Sequence, residues 1–151
     1  MTQRDNLVIK TAHPENAEEI ARLEGEIFSD GWSVKSITEA IENRQYLILC
    51  AECDGKIVGY INISVVAGEA NINRIAVSTD YRRHGIAQGL ISEAEKQLGE
   101  RAEIFLLEVR ESNSAAIKLY EKHGFKTDGI RKNFYSAPTE NAVLMSREMT
   151  K

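Results

Sequence analysis

The chain is short of several things at once, and each shortage excludes a class of protein. Two cysteines in 151 residues rule out a small disulfide-stapled scaffold. Two prolines and ten glycines rule out collagen-like and low-complexity chains. The longest apolar run, Tyr46 to Ala51, is far below the ~20 residues of a membrane-spanning helix. Basic residues are not in excess: 19 Lys and Arg against 23 Asp and Glu leave a net charge of −4, which argues against a surface that coats nucleic acid. The opening Met1-Thr2-Gln3-Arg4-Asp5-Asn6 lacks the apolar core of a signal peptide, so a cytoplasmic chain is expected.

What is present is ordinary globular material, 42% hydrophobic and 28% charged. The length suits one domain over residues 1–151, large enough to bury roughly 70% of its unfolded surface without a staple. Cys50 and Cys53 form a lone Cys-x-x-Cys, with neither a second pair nor histidines to complete a zinc site. They lie in a strand-like stretch, where positions i and i+3 face opposite ways. They read as buried thiols, and no metal is expected.

The hydrophobic pattern predicts alternating blocks. Leu7 to Thr11 reads as a strand. Pro14 suits a first helical position, and Ala17, Ile20, Leu23 and Ile27 recur at helical spacing. Ser33 can cap a second helix, with Trp32 and Ile37 as its hydrophobic staple. Strands are expected at about 46–53, 56–66 and 70–77, the first two joined by the hairpin signal Asp54-Gly55. A helix follows from Gly85 to Leu98. Ile104 to Leu107 reads as a strand buried on both faces, Asn113 to His123 as a helix ended by Gly124, and about 126–131 and 142–148 as final strands. Seven strands and four clustered helices fit a mixed α/β (α+β) sheet with helices on both sides, not a doubly wound one.

Between the strand ending at Val77 and the next helix runs Arg82-Arg83-His84-Gly85-Ile86-Ala87-Gln88-Gly89. A glycine-containing strand-to-helix turn aims backbone N–H groups and the positive helix end at one spot, which suits phosphate. Neither a Gly-Lys-Ser/Thr loop nor Gly-x-Gly-x-x-Gly is present, so the common nucleotide fingerprints do not apply. A second residue stands out at the end of the apolar run 104–107. Glu108 there is an acid on a strand expected to be buried, and burial would raise its pKa and make it a better proton acceptor. The alternative is an exposed Glu108, or one paired with Arg110.

Arg82-x-x-Gly85-x-Ala87, preceded by Asn73-Arg74-Ile75-Ala76-Val77, resembles the acyl-CoA motif of the GCN5-related N-acetyltransferases, the GNAT superfamily. Leu107-Glu108-Val109-Arg110-Glu111-Ser112-Asn113 with Ala115-Ala116-Ile117-x-Leu119-Tyr120-Glu121-x-x-Gly124-Phe125 is similar to its RimI family of ribosomal-protein-alanine N-acetyltransferases. Arg131-Lys132-Asn133-Phe134-Tyr135 resembles that family's Arg-x-x-Tyr-Tyr segment, with Phe134 in place of the first tyrosine. The resemblance spans about residues 70–135 and implies the GNAT fold, about seven strands with about four helices.

It also implies direct transfer of acetyl from acetyl-CoA to the N-terminal alanine of a ribosomal protein or similar peptide. Ile75, Ala76 and Val77 would pair with the pantetheine arm. Arg82, Arg83, His84, Gly85, Ile86, Ala87 and Gln88 would surround the pyrophosphate, and Asn113 would hydrogen-bond the CoA arm. Glu108 matches the general base and Tyr120 the general acid. Trp32, Glu69 and Tyr135 are candidate contacts for the acceptor. Residues 14–30 hold six acids and one base, a face suited to a basic peptide or simply to water. His13 and His123 are read as helix-terminal residues. Two other readings stand beside this one: acetylation of a lysine side chain or small-molecule amine, and a non-catalytic acyl-CoA-binding module. No membrane or nucleic-acid partner is expected.

Overall fold

Two helical stripes and a set of alternating strands have to share one sheet, and the computed structural model shows how. It describes residues 6–82 and 85–149. In chain order these form β1 (Leu7–Thr11), a 3-10 turn, α1 (Ala17–Ile27), α2 (Val34–Glu42), β2 (Tyr46–Cys53), β3 (Lys56–Val66) and β4 (Glu69–Val77). Then come α3 (Ile86–Leu98), β5 (Ile104–Arg110), α4 (Ser114–Lys122), β6 (Lys126–Tyr135) and β7 (Glu140–Glu148). The strands make one sheet in the order β1-β2-β3-β4-β5-β7-β6, antiparallel throughout except where β4 meets β5.

Each face carries its own core. Ile20 and Leu23 of α1 and Ile37 of α2 pack with Ile48, Cys50 and Tyr60 on one face. Leu90, Ile91 and Leu98 of α3, with Tyr120 of α4, pack on Leu49, Ile61, Ile63 and Phe105 on the other. The two cysteines divide as strand alternation requires, Cys50 in the first layer and Cys53 in the second. Both are buried and outside any disulfide, and burial pushes the Cys50 thiol up to about 11. The staple forms as expected: Ser33 Oγ accepts the Ser36 N–H at 3.1 Å, while Trp32 and Ile37 join the α1–α2 core.

The feature that makes a site possible is a split in the sheet. β4 and β5 pair only at Glu69–Ile104, Ala70–Phe105 and Asn71–Leu106. β4 nevertheless continues against β3 to Val77, and β5 continues against β7 to Arg110. Beyond Asn71 and Leu106 the two central strands therefore part and leave a cleft. A bulge sits at that point. Asn62 pairs with Arg74 but Ile63 pairs with Ile72, so Asn73 is an extra residue in β4; such insertions bend a strand and reset its alternation. Ala70 and Ile72 face the α3 side, and after the bulge Ile75 and Val77 do. Ala76 belongs to the opposite core, as does the Arg74 side chain, which reaches Glu24 of α1.

Three expectations need correction. β5 does not stop at Leu107 but runs to Arg110, and it is buried mainly on one face: Phe105, Leu107 and Val109 are buried while Glu108 is exposed. β6 extends to Tyr135 and β7 begins at Glu140. Nearly all of β6 is exposed, so it carries no apolar alternation by which its length could be read.

Candidate active site

One side of the cleft is made of backbone. Because β5 has moved away, Ile75, Ala76 and Val77 have β3 as their only pairing strand. Gly85 follows in the left-handed region at φ +77° and caps α3, a conformation that costs an L-residue roughly 1–2 kcal/mol. The first i to i−4 bond of the helix runs from Gly89 N–H to Gly85 O at 3.0 Å, so Ile86, Ala87 and Gln88 stand in the first turn, where N–H groups have no helical partner. The helix start is seated close to the sheet. A Cβ on Gly59, the residue opposite Val77, would lie 3.0 Å from Ile86 Cγ2 and 3.2 Å from Ala76 O. Arg82 donates from Nε to Val77 O at 3.1 Å, so this arginine braces the end of β4. Arg83 and His84 lie outside the described residues.

On the other side stand the groups read as chemical. Glu108 is exposed, so the burial expected of it is absent and its carboxylate is wet. It does not pair with Arg110, which instead donates to Glu140 Oε1 at 3.2 Å. Tyr120 is buried, its ring 5.5 Å from that of Phe125. Burial, with a smaller push from Tyr135, drives its phenol well above the ordinary value; it holds its proton at any physiological pH. Tyr135 is half-buried, and burial and then the charge of Glu108 push its phenol up. Glu108, Tyr120 and Tyr135 thus share one neighbourhood. Asn113 caps α4, its Oδ1 accepting the Ala116 N–H at 3.1 Å, which leaves its amide hydrogens for a second partner.

Two further candidates have their contacts in other parts of the fold. Glu69 opens β4 and pairs with Ile104, at the closed end of the split, away from Val77 and Glu108. Trp32 turns its ring edge-on to Tyr46 at 6.4 Å and packs on the α1–α2 core. The acidic face is also smaller than its count. Glu24 is fully buried, Glu19 accepts the Ile57 N–H at 2.8 Å, and Asp30 is paired with Arg74. His123 caps α4 at its C-terminus, but burial, and after it Arg147, lowers its pKa; the cations at that helix end are Lys122 and Arg147, which donates to His123 O at 3.2 Å.

Sequence reading missed a buried polar cluster. Glu24 Oε1 accepts the Trp32 N–H at 3.1 Å and Arg74 Nε at 3.3 Å, and Oε2 accepts the Tyr60 hydroxyl. Burial lifts this carboxyl above its ordinary value, against the pull of Trp32 and Arg74. The signal was there: Glu24 falls on the apolar stripe, four residues after Ile20 and three before Ile27. An acid at such a position needs a partner.

A model of the acetyltransferase (GNAT) family matches residues 17–125. The chain belongs to the GNAT acetyltransferase family. Among its relatives, the ribosomal protein bS18-alanine N-acetyltransferase of Escherichia coli K12 is 36% identical over 118 residues, 76% of this chain and 79% of that one. An N-alpha-acetyltransferase of Sulfurisphaera tokodaii is 32% identical over 91% of this chain and 90% of its own. The crystal structure of the ribosomal-protein-S18-alanine N-acetyltransferase from Escherichia coli superposes with a TM-score of 0.86 at 30% identity, covering 96% and 95% of the two chains.

The GNAT assignment agrees with the split seven-stranded sheet and the four helices, and it makes the chain an N-acetyltransferase. Among the described residues no three His, Cys, Asp or Glu side chains are grouped as metal ligands would be. No helix among them is long and apolar enough to cross a membrane.

Proposed function

We propose that this GNAT enzyme acetylates the α-amino group of a peptide or protein beginning with alanine, a ribosomal protein being the first candidate, in the cytoplasm. The observation that carries the reading is the split. A free strand edge that leads into a helix N-terminus parts from the stretch of β5 that carries Glu108, and Glu108, Tyr135 and buried Tyr120 lie near enough in turn to feel one another's charge. The Escherichia coli relative and the solved structure, both ribosomal-protein-alanine N-acetyltransferases, suggest the alanine acceptor, and the Sulfurisphaera tokodaii N-alpha-acetyltransferase suggests the α-amine.

The donor side suits acetyl-CoA. Ile75 to Val77 offer unpaired backbone to an extended amide arm, and the first-turn N–H groups of Ile86, Ala87 and Gln88 suit a pyrophosphate at a helix N-terminus. Asn113 offers its amide to the same arm, and Arg82, Arg83 and His84 are the further candidates for the pyrophosphate. Acetyl-CoA supplies the acetyl group as a thioester. Glu108, directly or through a water, takes the proton that the α-ammonium must lose before nitrogen can attack. As the N–C bond forms and the C–S bond breaks, Tyr120 gives its proton to the departing sulfur and regains one from the second proton that the acylated nitrogen sheds; a phenol held protonated by burial is suited to that task. Tyr135 borders the acceptor side.

Acid–base chemistry favours an α-amine over lysine. An α-amino group has a pKa near 7.7–8.0 and lysine one near 10.4, so lysine asks about 2.5 units more of the same carboxylate, roughly 3.4 kcal/mol. The test is acetyl-CoA turnover on a peptide that starts with alanine and continues with basic residues, read by mass spectrometry. Acetylation is expected on the terminal nitrogen and is abolished when that terminus is blocked. Strong labelling of lysines in the blocked peptide would reject the Nα assignment.

A further inference from the structure

The cleft is bracketed by two segments. The α1–α2 connection, residues 28–33, borders it on the β4 side, and the β6–β7 hairpin, residues 134–140, on the β5 side. Each is held by an arginine from the strand that carries it. Arg74 of β4 places its guanidinium 3.9 Å over the Phe28 ring. It donates from Nη2 to Asp30 O at 2.9 Å and Asp30 Oδ1 at 3.0 Å, with Nε on buried Glu24. Glu24 in turn holds the Trp32 N–H. Arg110 of β5 lies 4.5 Å over the Tyr135 ring. It donates to Ser136 O at 3.3 Å, Pro138 O at 3.0 Å and Glu140 Oε1 at 3.2 Å, and Glu140 Oε2 accepts the Ser112 N–H at 2.9 Å.

The two arrangements match in kind: a planar cation, an aromatic ring beneath it, and carboxylate and loop-carbonyl acceptors, two carboxylates and one carbonyl for Arg74 and one carboxylate and two carbonyls for Arg110. Each also lies within reach of the other's charge. The Asp30 carboxyl, held low first by its hydrogen bond from Arg74, is lowered further by the charge of Arg110. The Tyr135 phenol, raised first by burial, feels Arg74 as well as Arg110. A guanidinium makes these contacts because its fork is rigid and flat; an ammonium cannot stack on a ring and reach three oxygens at once.

We infer that Arg74 and Arg110 are positioning residues for the acceptor: as paired clamps they set the separation of the two loops and hence the fit of the acceptor amine, while taking no part in donor binding. This rests on the proposed peptide reaction and adds the residues that shape its acceptor side.

Arg74→Lys and Arg110→Lys keep the charge and lose the fork. Each is expected to raise the acceptor KM on the order of tenfold or more, since small misplacements near a reacting centre are costly, and to leave the acetyl-CoA Kd from calorimetry unchanged. Hydrogen exchange should speed up in residues 28–33 for the first variant and in 134–140 for the second. A merely structural role would loosen the fold generally and move both ligands together. Should either lysine variant fail to fold, Asp30→Asn and Glu140→Gln remove the loop ends of the same clamps and should raise acceptor KM alone. No transfer to the alanine peptide by the wild-type enzyme would remove the reaction and this inference with it. Wild-type transfer with unchanged acceptor KM in the variants, or equal losses for donor and acceptor, would overturn the inference alone.

Discussion

The two sides of the cleft are built from different materials. The donor side, Ile75 to Val77 and the start of α3, is backbone: a strand edge left unpaired and a helix end entered through Gly85 at φ +77°. Its contacts lie close together in sequence, as with Arg82 on Val77. The acceptor side is held by side chains that bridge long stretches of chain. Arg74 meets Glu24 across 50 positions and Asp30 across 44, and Arg110 meets Glu140 across 30. A site made of backbone is set by conformation and tolerates many side chains. A site made of bridges depends on each partner, and the two sides should therefore fail differently.

The largest separation of the two is expected from Glu108→Gln. Losing a general base lowers the rate by about a hundredfold or more, and acetyl-CoA affinity should stay at the wild-type value. Part of the rate should return as pH rises past about 8, where the α-amine loses its proton unaided. A wild-type rate with no pH dependence would take the base role from Glu108.

Gly85→Val tests the opposite side. Holding a β-branched residue in the left-handed region costs roughly 1–2 kcal/mol, so acetyl-CoA affinity should fall about tenfold while turnover at saturating donor stays close to normal. Calorimetry giving an unchanged affinity would mean that the helix entry is not part of the donor site.

The smallest effect is one of pH on Asp30→Asn. The Arg74 hydrogen bond holds the Asp30 carboxyl below its ordinary value of 3.8. A depressed folded-state pKa contributes stability that is present above the unfolded value and lost as pH falls through the folded one. At neutral pH the variant should melt slightly below the wild type, within the ~0–1 kcal/mol of an exposed ion pair. The gap should begin to narrow as pH falls below about 3.8 and close once pH has passed the lower folded-state value. Melting curves with a constant gap from neutral to strongly acid pH would show that Arg74 does not hold Asp30 in solution.

The same contrast explains what could be read in advance. β1, β2 and β3 fall on the expected residues because alternation and the Asp54-Gly55 turn are local signals. The donor turn was legible for the same reason. β5 was cut short at Leu107 because Glu108 and Arg110, which border the cleft, break the apolar run that marks a strand. Glu108 was singled out as an acid on a buried strand, and the burial does not hold; parting strands expose what a closed sheet would cover. Arg74 drew no attention beyond its place in a motif, since its partners lie in another third of the chain. Only Glu24, an acid on an apolar stripe, could have pointed to it.

The extra residue in β4 has a consequence for how this strand can change. A pleated strand works like a wave two residues long, and Asn73 is a residue that the wave passes over: Ile72 and Arg74 meet neighbouring positions of β3, Ile63 and Asn62, and Asn73 stands between them without a position of its own. Deleting Asn73 would leave an unbroken ladder with the same partners on either side of it. Ile75 and Val77 would keep the α3 face and Arg74 the α1 face, while the bend that an extra residue puts into a strand would go. That bend lies where β4 leaves β5. Point substitutions along β4 change one side chain at a time; this change in length would leave each side chain on its own face and act on the curvature of the strand.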